Sequence, residues 1–343
     1  MRTLRISITA TALIILAAAG WFFMDLHSWS RRPAPAHGNE SEILFTVHPG
    51  EGPDTLARRL AGRGLLTSAW RFKLLARLKG ADRSIKAGEY KLSACLTPSE
   101  LLDVFTKGRV NLHRLTIPEG YNIKQISVRL EKGGFMAADV FLKEALNSDF
   151  ARQMGIAGDS FEGYLFPDTY HLPAGITSRR LITLMVERFW QQFKPGWRQR
   201  AAELGMTVHQ VVTLASIIEK ETGDAAERPL ISSVFHNRLK KGMRLESDPT
   251  VIYGLKDFDG NLTRKDLRAY SPYNTYRIKG LPPGPIANPG LDSIRAALYP
   301  AKTDYLYFVA KKDGTHYFST NIREHNRAVR KYQLGRRTGR KSS

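Results

Sequence analysis

The stretch Thr207 to Gly223, TVHQVVTLASIIEKETG, carries the strongest local signal in the chain. Thr207 and Gln210 have the spacing of a capping box ahead of an apolar run, and Gly223 supplies a stop, so the spacing predicts one helix. With Val208 at zero and about 100° per residue, Val211, Val212, Ala215, Ile218 and Thr222 gather into one stripe. Glu219 lands at about 20°, in the centre of that stripe. Lys220 and Glu221 lie well away from it, Glu221 at about 220° beside Leu214. A carboxylate facing a low-dielectric wall has its charged form disfavoured, which raises its pKa toward the range of a general acid. From the wheel alone two roles stand level. Glu219 is either a proton-transferring acid or a buried Glu neutralised by an Arg, with Arg238 and Arg244 as candidate partners.

The blocks around this helix favour the first role. Glu162 to Tyr170 (EGYLFPDTY) and Ser271 to Tyr276 (SPYNTY) set aromatics beside amides and carboxylates. Such mixtures suit sugar rings, with CH faces on aromatics and hydroxyls on Asn, Asp or Glu, although an aromatic-lined core uses the same residues. Gly280 to Gly290 (GLPPGPIANPG) is too rich in proline for a helix or inner strand, so a stiff loop is expected there as a cleft wall. Leu181 to Phe193 reads as an amphipathic helix. Tyr305 to Ala310 and Thr315 to Ser319 read as a hairpin with Asp313-Gly314 in its turn, and a last helix begins at Ile322.

Upstream, two segments repeat at an offset of seventy residues. Val47-His48-Pro49-Gly50, then Leu56, Leu60, Gly64 and Leu65, matches Ile117-Pro118-Glu119-Gly120, then Ile126, Leu130, Gly134 and Phe135. Each copy predicts a strand, a glycine turn, one amphipathic helix and a glycine stop. Ala87 to Leu92 and Val110 to Ile117 add strand-like runs. The resulting fold class is α+β, with small strand–helix modules ahead of a larger domain. Modules of this kind serve equally as polysaccharide-binding units or as scaffold.

The chain has 343 residues, 52 Lys+Arg against 32 Asp+Glu, a formal charge of +20 and 42% apolar residues. That is room for several domains and excludes both a miniprotein and wholesale disorder. The single cysteine, Cys95, excludes an intrachain disulfide and a cysteine-based zinc site. The basic balance calls for anionic surroundings: nucleic acid, acidic lipid heads or an anionic polymer. No Gly-Lys dipeptide of a P-loop occurs, no His-Glu-x-x-His, and the nine His show no metal-ligand spacing. Gly158 to Gly163 (GDSFEG) departs from a nucleophile elbow, since Glu162 stands where glycine is required.

Ile6 to Met24 is a run of nineteen residues without a charge, about 28 Å of helix and close to a bilayer's hydrocarbon thickness. Trp21, Phe22 and Phe23 suit an interfacial belt at its far end. Ala17-Ala18-Ala19 resembles a signal-peptide cleavage site, but the apolar run continues past it, so an uncleaved anchor is expected. Arg2 and Arg5 on one side balance Arg31 and Arg32 on the other, which ties the positive-inside count. Ser30 to Ser41 reads as a polar linker, and Arg327 to Ser343 as a basic, solvated tail.

Taken together, LASIIEKET at 214–222, EGYLFPDTY, FHNRL at 235–239, SDPTVIYG at 247–254, SPYNTY, GLPPGPIANPG and YLYFVA at 305–310 resemble the signature blocks of the YceG-like (MltG) endolytic murein transglycosylases, from about Phe45 to Arg330 in the family's order. The resemblance implies a cytoplasmic stub and transmembrane anchor at 1–25 and a linker at 26–42. A LysM-like module with its repeat-related segment would occupy 43–157, a catalytic domain 158–331 and a basic tail 332–343. It implies an inner-membrane enzyme with a cytoplasmic N-terminus and periplasmic domains. The enzyme would cut nascent peptidoglycan strands internally between N-acetylmuramic acid and N-acetylglucosamine, leaving a 1,6-anhydromuramyl end and limiting strand length. The family's catalytic Glu maps onto Glu219, with Glu162, Tyr164, Asp168, Asn237, Asp248, Tyr273, Asn274 and Tyr276 as candidate substrate contacts. Glycan strands and the membrane are the implied partners, with peptidoglycan synthases as further candidates and no role for nucleic acid, metal or cofactor. Two rival classes remain at this point: a hydrolytic muramidase using Glu162 or Asp248 as a second carboxylate, and a non-catalytic wall- or nucleic-acid-binding membrane protein.

Overall fold

The computed structural model describes residues 2–35, 42–93 and 95–334. Residues 36–41 of the expected linker lie outside the described residues, as do Arg336, Arg337, Arg340 and Lys341 of the expected basic tail. The chain is a mixed α+β protein that forms two compact units, Met1–Arg114 with His171–Gly175, and Leu115–Tyr170 with Ile176–Ser343. The second repeat copy therefore belongs to the larger unit, whereas the sequence reading grouped it with the first copy.

In the first unit, α1 (Arg2–Ser30) is one unbroken helix, long and apolar enough to cross a membrane. Leu13, Ile14, Ile15 and Leu16 are exposed along it. There follow β1 (Ile43–Val47), α2 (Pro53–Gly62), α3 (Ala69–Leu78), β2 (Gly88–Leu92), α4 (Pro98–Lys107) and β3 (Leu112–Thr116). β1 and β2 pair antiparallel with Phe45 opposite Tyr90 and Ile43 opposite Leu92. Alternate strand residues Phe45 and Val47 meet Leu56 and Leu60, one turn apart on α2, in a core completed by Phe72, Leu101 and Phe105. The four-residue spacing on the helix and the two-residue spacing on the strand thus close on each other. A Thr97–Glu100 capping box opens α4, and Gly108 in the left-handed region closes it.

The second unit contains α5 (Ile123–Lys132), α6 (Ala138–Ala145), α7 (Ser148–Gln153), β4 (Thr169–Pro173), α8 (Ser178–Gln192), α9 (Pro195–Glu203), α10 (Val208–Glu221), α11 (Arg228–Lys240), α12 (Asp248–Gly254), α13 (Arg264–Arg268), α14 (Leu291–Leu298), β5 (Tyr307–Ala310), β6 (His316–Ser319) and α15 (Ile322–Val329), the last running into a π-helical turn at Arg330–Leu334. The chain crosses between the units within β3 and β4, which pair with each other. β5 and β6 form the expected hairpin with Phe308 opposite Phe318. Both repeat copies take the same backbone path: Gly50 and Gly120 have φ of 77° and 73°, and Gly64 and Gly134 have φ of 73° and 69°. The repeat is one local structure built twice.

Helix α10 is the spine of the larger unit and packs most extensively on α14. Its capping box forms as read, Thr207 accepting from the Gln210 N–H and Gln210 from the Thr207 N–H. Every residue from Val211 to Ile218 is buried. The expected single stripe is therefore a helix enclosed on all sides, and the wheel separated nothing over that span. At its C-terminal end Thr222 turns extended, so the helix stops there without a left-handed glycine.

Candidate active site

The loop before α14 organises the site. Residues from Gly284 to Gly290 are buried, so their backbone groups need internal partners. The Ile286 N–H donates to Ser216 Oγ on α10 at 3.0 Å. Asn288 and the turn after β3 exchange two bonds of 2.9 Å, the Gly120 N–H to the Asn288 carbonyl and the Asn288 N–H to the Tyr121 carbonyl. The Asn288 side chain accepts from the Leu165 N–H at 2.8 Å and donates to the Tyr121 carbonyl and to Glu162. One fully buried amide thus ties three chain segments together. The expected cleft wall is an internal brace rather than an exposed rim.

At the end of that brace, the Gly290 N–H donates to Glu219 Oε2 at 2.9 Å. Arg228 Nη2, from the first turn of α11, reaches Glu219 Oε1 at 3.4 Å. Glu219 thus stands at the C-terminal end of α10 with a side chain only 6% exposed. The same Arg228 Nη2 lies 3.7 Å from Glu119 Oε2, and its Nη1 lies 3.8 Å from Asp292. One buried guanidinium therefore faces three carboxylates, of which Glu119 and Asp292 are about half exposed. Its Nε has no hydrogen-bond partner. Burial, and next the neighbouring Glu219 charge, raise the pKa of Glu119 against the pull of Arg228. Gly290 has an ordinary φ of −74°, so glycine is required there by space alone. A Cβ at this position would fall 1.9 Å from Glu119 Oε1.

The other candidate residues fall into distinct settings. Glu162 is 4% exposed and accepts from the Ile123 N–H, the Tyr253 hydroxyl and Asn288. Burial pushes its carboxyl up to about 7 despite those bonds. With its oxygens committed at the start of α5, it is not placed to activate a water. Gly163 beside it needs glycine twice over, for a φ of 87° and because a Cβ would lie 2.4 Å from Pro285. Tyr164 bonds His209 Nδ1 at 3.1 Å, and His209 Nε2 lies 3.0 Å from the Pro283 carbonyl. That carbonyl can only accept, so Nε2 carries the proton and Tyr164 is the donor. Asp168 pairs with Arg188 at 2.7 Å. Asn237 donates to the carbonyls of Thr303 and Tyr305, and Asn274 to those of Asp266, Leu267 and Ala269. Both amides are thus spent on backbone. Tyr276 donates to Asp248 at 2.6 Å, and Tyr273 packs its ring on Tyr253 at 4.9 Å between centroids. Tyr273, Tyr276 and Asp248 keep part of their surface open.

Glu221 points elsewhere. It accepts from Ser247 Oγ, and burial, with Asp248 adding to it, pushes its carboxyl up to about 7 against the nearby Arg238. Arg238 does not pair with Glu219 as the sequence suggested. Its guanidinium serves the carbonyls of Leu306, Arg244 and Leu245 and the carboxylate of Glu246. Sequence reading missed Arg228, Glu119, Gly290, Asp292 and Asn288. The one available pointer was that Glu119 opens the second repeat copy and Gly290 closes the proline-rich loop.

The chain as a whole is similar to proteins of one family. A model of the YceG-like family matches residues 45–331. An endolytic murein transglycosylase of Bacillus subtilis (strain 168) is 32% identical over 309 residues, covering 86% of each chain. An endolytic murein transglycosylase of Streptococcus pneumoniae serotype 2 is 30% identical over 349 residues, covering 92% of this chain and 63% of the longer relative. The crystal structure of a yceG-like protein from Listeria monocytogenes superimposes with a TM-score of 0.59 at 34% identity, covering 84% of this chain and all of that one.

Proposed function

The chain belongs to the YceG-like family, and from that premise we propose that it is a membrane-anchored lytic transglycosylase that cuts peptidoglycan strands internally. The observation that carries this reading is the setting of Glu219: a nearly buried carboxyl gripped at one oxygen by the Gly290 N–H and at the other by Arg228. A proton-transfer group works only when its oxygens are fixed relative to the reacting bond, and these two contacts fix both.

In the proposed reaction Glu219 gives its proton to the glycosidic oxygen between N-acetylmuramic acid and N-acetylglucosamine. The C1–O bond breaks and positive charge develops at the muramyl C1. The resulting carboxylate takes the proton of that sugar's C6 hydroxyl, whose oxygen closes on C1. The product is a 1,6-anhydromuramyl end; no water is consumed and Glu219 regains its proton. One carboxyl acts as acid and then as base, where ordinary glycosidases use two. Tyr273, Tyr276 and Asp248, which retain exposed surface, are the proposed sugar contacts of the original set. Glu162, Tyr164, Asp168, Asn237 and Asn274 are assigned to building the site. The first unit is proposed as a LysM-like module on the same side of the inner membrane as the active site, the periplasmic side. There the enzyme would act on nascent strands and limit their length.

Digestion of purified glycan strands with analysis by mass spectrometry tests this reading. Transglycosylase fragments are lighter by one water than hydrolytic ones and have no reducing end. Reducing ends in the products would establish a muramidase, and binding without cleavage would establish a wall-binding protein.

A further inference from the structure

We infer that the exposed face of α3 is a lipid-contact surface that holds the first unit against the bilayer interface, a step that rests on the membrane anchoring proposed above. The end of α1 is fixed to the first unit by three residues. Asp25 pairs with Arg71 at 2.9 Å, Trp29 Nε1 donates to Thr67 Oγ1 at 2.8 Å, and Leu26 is buried. These residues dock on a charged, water-facing unit and so stand outside the hydrocarbon. The span must therefore end by Met24, and Ile6 to Met24 is the uncharged run that precedes it. That places Trp21, Phe22 and Phe23 at the interface.

Phe22 is not free there. The Trp70 ring stacks on it with centroids 6.2 Å apart and planes 18° from parallel, so Trp70 lies at the same depth. Arg71 sits over both the Trp29 and Trp70 rings and locks the arrangement. The contacts also have a direction. Thr67 meets Trp29, whereas Trp70 and Arg71 in the first turn of α3 meet Phe22 and Asp25, so entry into α3 moves back along α1 toward the lipid. Beyond Trp70 the same face presents Leu74, Arg77 and Leu78, at helical spacings of four, seven and eight. Trp70 and Leu78 are 55% and 53% exposed, a large apolar surface for a helix bathed in water. Trp and Leu beside Arg77 is the composition of an interfacial helix, its rings and aliphatics at the acyl boundary and its cation on lipid phosphates, while Lys73 is held by Asp54 at 3.1 Å. The occupant of this face is therefore the phospholipid surface, and the anchor and module form one rigid arm rather than a module on a tether.

The test uses the full chain with Cys95→Ser, reconstituted in vesicles of phosphatidylethanolamine and phosphatidylglycerol. Single cysteines at Leu78→Cys and Trp70→Cys are spin-labelled, with Leu44→Cys, exposed on β1 of the same unit, as reference. Leu78 is 53% exposed and lies apart from the Thr67, Trp70 and Arg71 contacts that dock α1, so its replacement leaves those contacts intact. Accessibility to oxygen relative to a water-soluble nickel reagent should be several-fold higher at residues 78 and 70 than at residue 44. Equal ratios at all three sites in membrane-bound protein overturn the inference while leaving the anchoring intact. A label shielded from both reagents means burial against protein, a second copy included, and overturns it too. Release of the chain by alkaline carbonate refutes the anchoring itself, and the inference with it.

Discussion

Glu221→Gln separates the two carboxylates of α10 by stability as well as by activity. In the folded chain Glu221 holds its proton up to about 7, against an ordinary value of 4.5. The unfolded chain releases that proton near the ordinary value, so between these limits the folded state binds more protons. The sign follows: the Glu221 contribution to stability falls as pH rises from 4.5 to about 7 and is flat above. At 1.36 kcal/mol per pH unit the loss is about 3 kcal/mol. A glutamine oxygen still accepts from Ser247 but carries no charge to bury, so the variant escapes this loss. For a unit of this size that amounts to a melting-temperature gain of roughly 6–12 °C over the parent at pH 8, shrinking toward zero at pH 5. Melts of the full chain in detergent, parent and variant side by side from pH 5 to 8, read it directly. Comparison at each pH cancels Glu162, which titrates in the same range. A temperature difference that does not change with pH would refute the burial of the Glu221 charge. On glycan strands the same variant should lose at least roughly tenfold less turnover than Glu219→Gln, the low end of what a general acid contributes. Equal losses would mean that the two side chains serve one site, contrary to their separate partners.

Glu219→Gln should retain fold and strand binding while anhydro ends disappear from the mass spectrum; comparable product formation would dismiss it as the acid. Gly290→Ala places a methyl on the Glu119 carboxyl and disturbs the N–H that holds Glu219, so turnover should fall by roughly a hundredfold, the effect of a displacement of about 1 Å. An unchanged rate would show that the Gly290 contact is dispensable. Asn288→Ala leaves the Leu165 N–H, the Tyr121 carbonyl and Glu162 short of partners and should destabilise the larger unit by about 3 kcal/mol, measured by denaturant unfolding. In the first unit Leu60→Ala empties the core between α2 and the β1–β2 pair, at a cost of about 2–5 kcal/mol in the same assay.

Elements whose signals are local were legible in the sequence. The α10 capping box, the Asp313-Gly314 hairpin, the start of α15 and both repeat copies depend on residues within a turn or two of each other. Burial was not local, and there the reading diverged. A wheel can rank faces of a helix only if one faces water, and from Val211 to Ile218 α10 is buried all round, so the wheel set Glu221 apart from the stripe without revealing its surroundings, the Ser247 hydroxyl and the burial that raises its pKa. The ion-pair partner diverged for a related reason. Arg238 lies in the chain where an arginine was wanted, but its guanidinium is spent on three carbonyls and Glu246, and Arg228, just past the chain reversal, does the work. Asn237 and Asn274 illustrate the same ambiguity, since an amide among aromatics bonds a sugar or a carbonyl equally well and sequence carries no mark of which.

The repeat shows how one local structure can have two fates. Gly50 and Gly120 make the same left-handed turn, so the backbones of the copies offer the same positions to their surroundings. In the first copy Pro49 precedes the glycine, and Glu51 after it closes on Arg59 within 2.7 Å, its side chain 4% exposed. That copy satisfies its charge internally. In the second copy Glu119 takes the place of Pro49 and Tyr121 that of Glu51. The carboxylate moves to the other side of the glycine, where Arg228 and the bare α-carbon of Gly290 receive it, and the Tyr121 carbonyl is left for Asn288. A Cβ at Gly120 would lie 3.5 Å from the Glu219 side chain, so the turn itself forms part of the carboxyl's wall. Exchanging Glu119 and Tyr121 for the first copy's Pro and Glu would therefore keep the turn but withdraw a charge from the Arg228 cluster. The second copy belongs to the larger unit because its side chains complete the surroundings of Glu219.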